Sequence, residues 1–238
     1  IRTISKESRI LIGSVDMAFI HLFILKWIAV NTLLLKMEKK IFTISREYGA
    51  GGLPVGHLIA EKLGIPFYDK KLVEHVAEES GFAPKFIEEH GEHAPSRSVF
   101  SYAFAPHGVP GVMNGLSTSD YLWNVQCSVI LQLAEQGPCV IVGRNADYIL
   151  KDRNDVFNVY LHASTPARIE RILGDGVVTK DPEGLLAERD KRRRLNYQHY
   201  TGRTWGMSQN YHMCLDTSVL GFEKSAELII EAAKACTK

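Results

Sequence analysis

Ser45-Arg46-Glu47-Tyr48-Gly49-Ala50-Gly51-Gly52 has the residue types of an anion site: glycines that let backbone N–H groups approach a ligand closely, with an arginine near the start. The chemistry this supports is the holding of a phosphate group. Three further arginine-bearing segments could act with it. Gly143-Arg144 follows the apolar run Cys139-Val140-Ile141-Val142, and a guanidinium fixed at a strand end can take a phosphate through two parallel hydrogen bonds. Arg168 lies one turn into the helix start Thr165-Pro166-Ala167-Arg168, and Glu188-Arg189-Asp190-Lys191-Arg192-Arg193-Arg194 is the densest charge run in the chain. Phosphoryl transfer asks mainly for positioned cations, and a single arginine can supply a factor of roughly 10³–10⁵. A glycine run can equally be a plain left-handed turn, and a basic run a solvated helix face.

What separates these readings is the set of elements that would hold the residues. Ile41-Phe42-Thr43-Ile44 is a short β-rich run, and Val55, Leu58, Ile59 and Leu63 recur at helical spacing, so the glycines sit where strand gives way to helix. The first amides of that helix and the positive end of its dipole would converge on the turn, and Pro54 suits its first turn. Leu63-Gly64-Ile65-Pro66-Phe67-Tyr68-Asp69 closes the helix and leads to a carboxylate. Asp69 can cap the next helix, which carries Leu72, Val73, Val76 and Ala77, or contact a substrate, and the two uses are compatible. Val156-Phe157-Asn158-Val159-Tyr160-Leu161 reads as a further strand, followed by Thr165 as N-cap and Pro166 as first helical residue. Ser119 is expected to cap a helix with a core stripe of Leu122, Val125, Val129, Ile130 and Leu133, and Thr217 and Ser218 to cap the turn before an amphipathic final helix. Alternating strands and helices imply an α/β fold with a mainly parallel sheet covered on both faces. Ligands then bind beyond the carboxyl ends of the strands, where Arg46 and Arg144 fall.

Taken together and in order, over about residues 39 to 235, these segments resemble the cytidylate kinases and, more narrowly, the cytidylate kinase-like family of the P-loop nucleoside monophosphate kinases. The glycine turn resembles a P-loop but departs from G-x-x-x-x-G-K-[ST]: Arg46 stands for the first Gly, Gly52 for the Lys, and Leu53-Pro54 follow where a hydroxyl is usual. In the cytidylate kinase-like branch the lysine-free loop is itself the pattern. The resemblance implies a three-layer P-loop kinase sandwich with a helical lid and a mobile substrate-binding region over Phe82 to Ser119. It implies ATP and Mg²⁺ as cofactors, with Ser45, Arg46, Gly49, Ala50, Gly51 and Gly52 at the donor phosphates and Arg46 as the candidate for the missing lysine's charge. Asp69 would open the acceptor region, with Lys70 and His75 where cytidylate kinases have Ser and Arg. Arg144 and Arg168 would hold the acceptor phosphate, Asn145 replacing the family's Asp, while Arg189 and Arg193 would close over the transition state. Asp190 would orient one of them or contact the base, and His212 replaces an Asp after the Asn210-Tyr211 pair.

The implied activity is ATP-dependent phosphoryl transfer to a nucleoside monophosphate, with cytidine monophosphate as the expected acceptor. Two other readings stay open: a nucleotide-binding regulator or pseudokinase, motivated by the lysine-free loop and Leu53-Pro54, and a kinase for another small acceptor, motivated by Lys70 and His75.

Composition agrees. The chain has 238 residues, 45% of them hydrophobic and 23% charged, enough for one good core in residues 37–238. A net charge of +1 with scattered basic residues argues against a nucleic-acid polymer as partner and leaves small nucleotides. Cys127, Cys139, Cys214 and Cys236 show no metal-ligand spacing, and His90, His93 and His107 read as solvated loop residues, so no protein-bound metal site is expected. The cysteines fit a reducing cytoplasm. Residues 1–36 stand apart from the pattern. Met17 to Leu35 is apolar but interrupted by Lys26, a marred membrane span or a signal peptide without an evident cleavage site. Met37 immediately precedes Glu38-Lys39-Lys40 and the first strand, and residues 1–36 are read as an upstream extension absent from the working protein.

Overall fold

The computed structural model describes residues 32, 37–85, 87 and 116–236, the side chains of 70 and 71 excepted. The chain divides after residue 36 into two units. The first lies outside the described residues but for Thr32, and so do the expected apolar span, His90, His93, His107 and most of the expected substrate-binding region.

Strand β1 (Ile41–Arg46) is buried over its first five residues. It forms the middle of a five-stranded sheet in the order β2-β3-β1-β4-β5, with β2 at Phe67–Tyr68, β3 at Cys139–Val142, β4 at Val156–His162 and β5 at Met213–Asp216. Every pairing is parallel. The continuous apolar runs of β1 and β3 are the signature of strands covered on both faces.

Helix α1 (Gly52–Leu63) buries Val55, Ile59, Ala60 and Leu63, and it ends at left-handed Gly64. It packs on one face of the sheet beside the last helix, α7 (Thr217–Ala235). Gly56 lets α1 sit close against Ile44 and Val142. On the other face, α2 (Lys70–Ser80) and α3 (Thr118–Glu135) build a core with Ile41, Ile141 and Val156. Each fully buried Leu or Ile contributes about 1.5–3 kcal/mol. Ser117, two residues before the expected Ser119, caps α3 by accepting the Asp120 amide at 3.1 Å.

The remaining helices are α4 (Ala146–Ile149), α5 (Thr165–Gly174) and α6 (Pro182–Thr201). Helix α5 starts one residue earlier than expected, with Ser164 at the N-cap. Helix α6, the expected lid, buries Leu186, Asp190, Asn196 and Tyr197, so its inner face is part of the folded body. In an all-parallel sheet the carboxyl ends share one edge, which places Arg46, Asp69, Arg144, Ser164 and Thr217 along a single rim. Among the described residues no helix is long and apolar enough to cross a membrane.

Candidate functional site

The glycine turn is held from behind by backbone and side-chain bonds. Glu47 donates its amide to Leu161 O at 3.0 Å, and Ala50 to Glu47 O at 3.2 Å. Thr217 Oγ1 donates to Ala50 O at 2.8 Å, while Arg171 donates to Gly49 O at 3.3 Å and to Thr217 Oγ1 at 2.9 Å. A trans peptide sets the next N–H antiparallel to the carbonyl, so the Gly51 amide faces away from Thr217. Gly51 itself has φ 80 and stands where a Cβ would strike the Phe222 ring, which also lies under the Arg171 guanidinium at 4.7 Å. No side chain caps α1, so its first amides, Gly52 and Leu53, lack an intrahelical partner and add their donors at the positive end of the helix.

Three arginines meet beside this turn. The Arg46 side chain runs across Gly52, where a Cβ would lie 2.7 Å from its Cγ, and its guanidinium reaches Gly143. It therefore covers the place a P-loop lysine would occupy. Arg144 and Asn145 follow β3 with φ of 57 and 55, two left-handed non-glycine residues in succession, a conformation of the kind concentrated at functional sites. The Arg144 carbonyl accepts from Gln126 Nε2 at 3.0 Å, and its guanidinium donates to Ile87 O at 3.5 Å. Arg193 Nη1 donates to Arg46 O at 3.2 Å. Arg46, Arg144 and Arg193 line one small pocket with Asn145, Asn196 and Trp205, and among the described residues no acidic side chain is in its lining. A lining rich in arginine suits an anion. On the other side of Arg46 and Arg193 a cleft of about 880 Å³ opens over the turn, toward Arg171, Val177 and Phe222, a size suited to a nucleotide.

Arg168 departs from its expected phosphate contact. It is 7% exposed, donates from Nε to Tyr48 O at 2.7 Å, lies 3.2 Å from Glu47 Oε2 and is bonded to the Asp190 carboxylate. Asp190, also 7% exposed, accepts the Tyr48 amide at 2.8 Å. The two acids neutralise Arg168 and fix it as a strut between the turn, α5 and α6. Asp190 does orient an arginine, but that arginine is Arg168. Arg189 is exposed, with its guanidinium 5.7 Å from the Tyr48 ring centre, near Arg193 at 5.6 Å.

Ser45, expected at the donor phosphates, is buried and donates to Asp147 Oδ1 at 3.2 Å. Asp147, 2% exposed, also accepts from Tyr197 Oη at 2.7 Å. Burial raises the proton affinity of Asp147, and burial together with the Asp147 carboxylate raises that of the Tyr197 hydroxyl. Asn145 Nδ2 donates to Asn196 Oδ1 at 2.8 Å alongside. Asp69 stands at the N-cap of α2 without a side-chain capping bond, and His75 faces Glu78 at 3.7 Å. Lys70 opens α2, and its side chain lies outside the described residues.

Sequence reasoning missed Asp147, Tyr197, Glu47 and Phe222 as parts of the site. Spacing held a trace of two of them: Asp147 comes three residues after Arg144, and Tyr197 one helical turn after Arg193.

A model of the cytidylate kinase-like family matches residues 41–219. A cytidylate kinase from Aeropyrum pernix is 30% identical over 105 residues, which are 44% of this chain and 60% of that relative, so the chain spans three fifths of its length. Among solved structures, an uncharacterized protein from Eubacterium ventriosum superposes with a TM-score of 0.61 at 22% identity, covering 83% of this chain and all of that one. A shikimate kinase from Acinetobacter baumannii, in complex with shikimate, gives 0.48 at 18% identity, over 81% of this chain and 92% of that one. The fold is α/β, an all-parallel five-stranded sheet packed with helices, as the sequence led one to expect.

Proposed function

Since the chain belongs to the cytidylate kinase-like family, we propose that residues 37–238 form a catalytic unit that transfers the γ-phosphoryl group of ATP to a nucleoside monophosphate, with cytidine monophosphate as acceptor. The observation that carries this is the convergence of Arg46, Arg144 and Arg193 on one pocket beside the glycine turn. The donor triphosphate lies along the turn, held by the first amides of α1, with its base in the larger cleft. An oxygen of the acceptor phosphate attacks the γ-phosphorus, and the bond to the β–γ bridging oxygen breaks to release ADP. The three guanidinium groups face both phosphates at once, drawing two anions together and neutralising the charge that spreads over the transferred oxygens. Arg189 adds charge from the solvent side, and Arg168 keeps the turn and α6 in register.

Mg²⁺ accompanies ATP in kinases of this family and supplies positive charge on the nucleotide's phosphates. The described residues offer no group of three acidic, His or Cys side chains to cage it, and Ser45 and Asp147 are bonded to each other. Its ligands would be phosphate oxygens and water.

The test is release of ADP by the purified full chain given Mg-ATP and a panel of monophosphates and small alcohols. Turnover with cytidine monophosphate is expected. Binding of ATP without ADP release under any acceptor would replace the enzyme with a nucleotide-binding regulator. Turnover with an unphosphorylated alcohol alone would replace the acceptor class, an outcome motivated by the departures at Lys70 and His75.

A further inference from the structure

Resting on that reading of the pocket, we infer that Asp147 is a positioning residue for phosphoryl transfer: one buried carboxylate pins the three segments from which Arg46, Arg144 and Arg193 project. Ser45, bonded to Oδ1 at 3.2 Å, is the residue before Arg46 at the end of β1. Tyr197, bonded to Oδ2 at 2.7 Å, follows Arg193 by one turn of α6, on the same helical face. Asp147 itself is three residues past Arg144, in the short helix that continues the left-handed pair Arg144-Asn145. Each of its bonds, and its own backbone, therefore leads directly to one of the three cations.

The chemistry of the group supports this role. A carboxylate 2% exposed is costly to bury, and an apolar side chain would pack there at lower cost unless the bonds serve a purpose. With both oxygens taken by hydroxyl donors the carboxylate sets distance and direction to β1 and α6 together. Tyr197 is 1% exposed and has its ionisation suppressed, so it stays a donor through the pH range where a kinase works. The sheet already joins β1 to β3 through the Gly143 amide, which donates to Ile44 O at 2.9 Å. Helix α6 belongs to no such ladder. Its register against the pocket rests on side chains, of which Tyr197 and Asn196 are buried. A displacement of about 1 Å in a catalytic cation costs on the order of 10²-fold in rate.

The experiment compares the full chain with Tyr197→Phe and Ser45→Ala, each of which removes one hydroxyl from the carboxylate, and with Thr43→Val as a control for simple loss of a polar bond in the sheet. Thr43 donates to Asn158 Oδ1 at 2.6 Å and lines neither cleft. Melting temperature, kcat, KM and the calorimetric Kd for ADP are measured for each. Tyr197→Phe is expected to lower kcat on the order of 10²-fold and to weaken ADP, with Ser45→Ala in the same direction and the double variant no worse than the stronger single one, because both act through one group. Thr43→Val should lower the melting temperature and leave kcat intact. If the wild type turns over and Tyr197→Phe matches it in kcat and Kd, or falls no further than Thr43→Val, the positioning role is overturned. If the wild type binds ADP but never turns over, the kinase reading fails while a weaker Kd in Tyr197→Phe still supports positioning. A wild type that binds no ADP overturns both.

Discussion

Arg168 on α5 and Arg193 on α6 approach the same glycine turn, and both donate to a carbonyl of its first residues, Tyr48 O for one and Arg46 O for the other. Around Arg168 stand Glu47 and Asp190, and the guanidinium is buried between them. Arg193 lines a small pocket with Arg46, Arg144 and two asparagines, and among the described residues no acidic side chain is in its lining. A guanidinium paired with carboxylates has its field cancelled locally and serves as a joint. One that lines an arginine-rich pocket adds its charge to the field there. The type of residue is the same, and the company it keeps decides its work.

This contrast can be broken by experiment. The largest effect is expected from Arg193→Ala, which should lower kcat by about 10³-fold or more while leaving the urea midpoint close to wild type. An equal loss of stability and activity would erase the distinction. Next comes Arg168→Met. Removing the cation leaves buried Asp190 and half-buried Glu47 without their partner, so unfolding free energy from urea titration should fall by about 3–5 kcal/mol. A variant as stable as wild type would show that the joint holds nothing.

The smallest effect belongs to a site remote from both arginines. His212 Nδ1 accepts the Asn158 amide at 2.8 Å at the sheet edge, and desolvation lowers its pKa below the ordinary 6.5. The unfolded chain then takes up the proton first as pH falls, so this contribution is intact above about 6.5 and is lost as pH drops toward the lowered folded value. Urea midpoints read across that window should decline on the acid side, and His212→Gln should flatten the decline. The same slope in the Arg168 and Arg193 variants would sharpen the comparison by showing that their differences arise at the pocket alone.

Much of this site was legible before any coordinates. The β1–turn–α1 unit follows from Ile41-Phe42-Thr43-Ile44, the glycines and the Val55, Ile59, Leu63 spacing, all of which are local signals. Arg144 could be placed at the carboxyl rim because a basic residue directly after a buried strand of a parallel sheet has one place to go. Helix caps were less exact: Ser117 and Ser164 displaced Ser119 and Thr165 because each segment offers several hydroxyls and the backbone chooses among them. Arg168 looked like a phosphate contact because its position one turn into a helix suits a phosphate as well as a carboxylate. Its partners, Glu47 and Asp190, come 121 residues before it and 22 after it.

The order of strands and helices, the glycine turn and the family were written in local patterns, since periodicity and turn chemistry act over a few neighbouring residues. Which arginines line the pocket beside the turn and which is buried between two carboxylates was decided only by the folded chain. Asp147, Ser45 and Tyr197 meet across gaps of 102 and 50 residues, and electrostatic neutralisation depends on distance in space, which spacing along the chain does not carry.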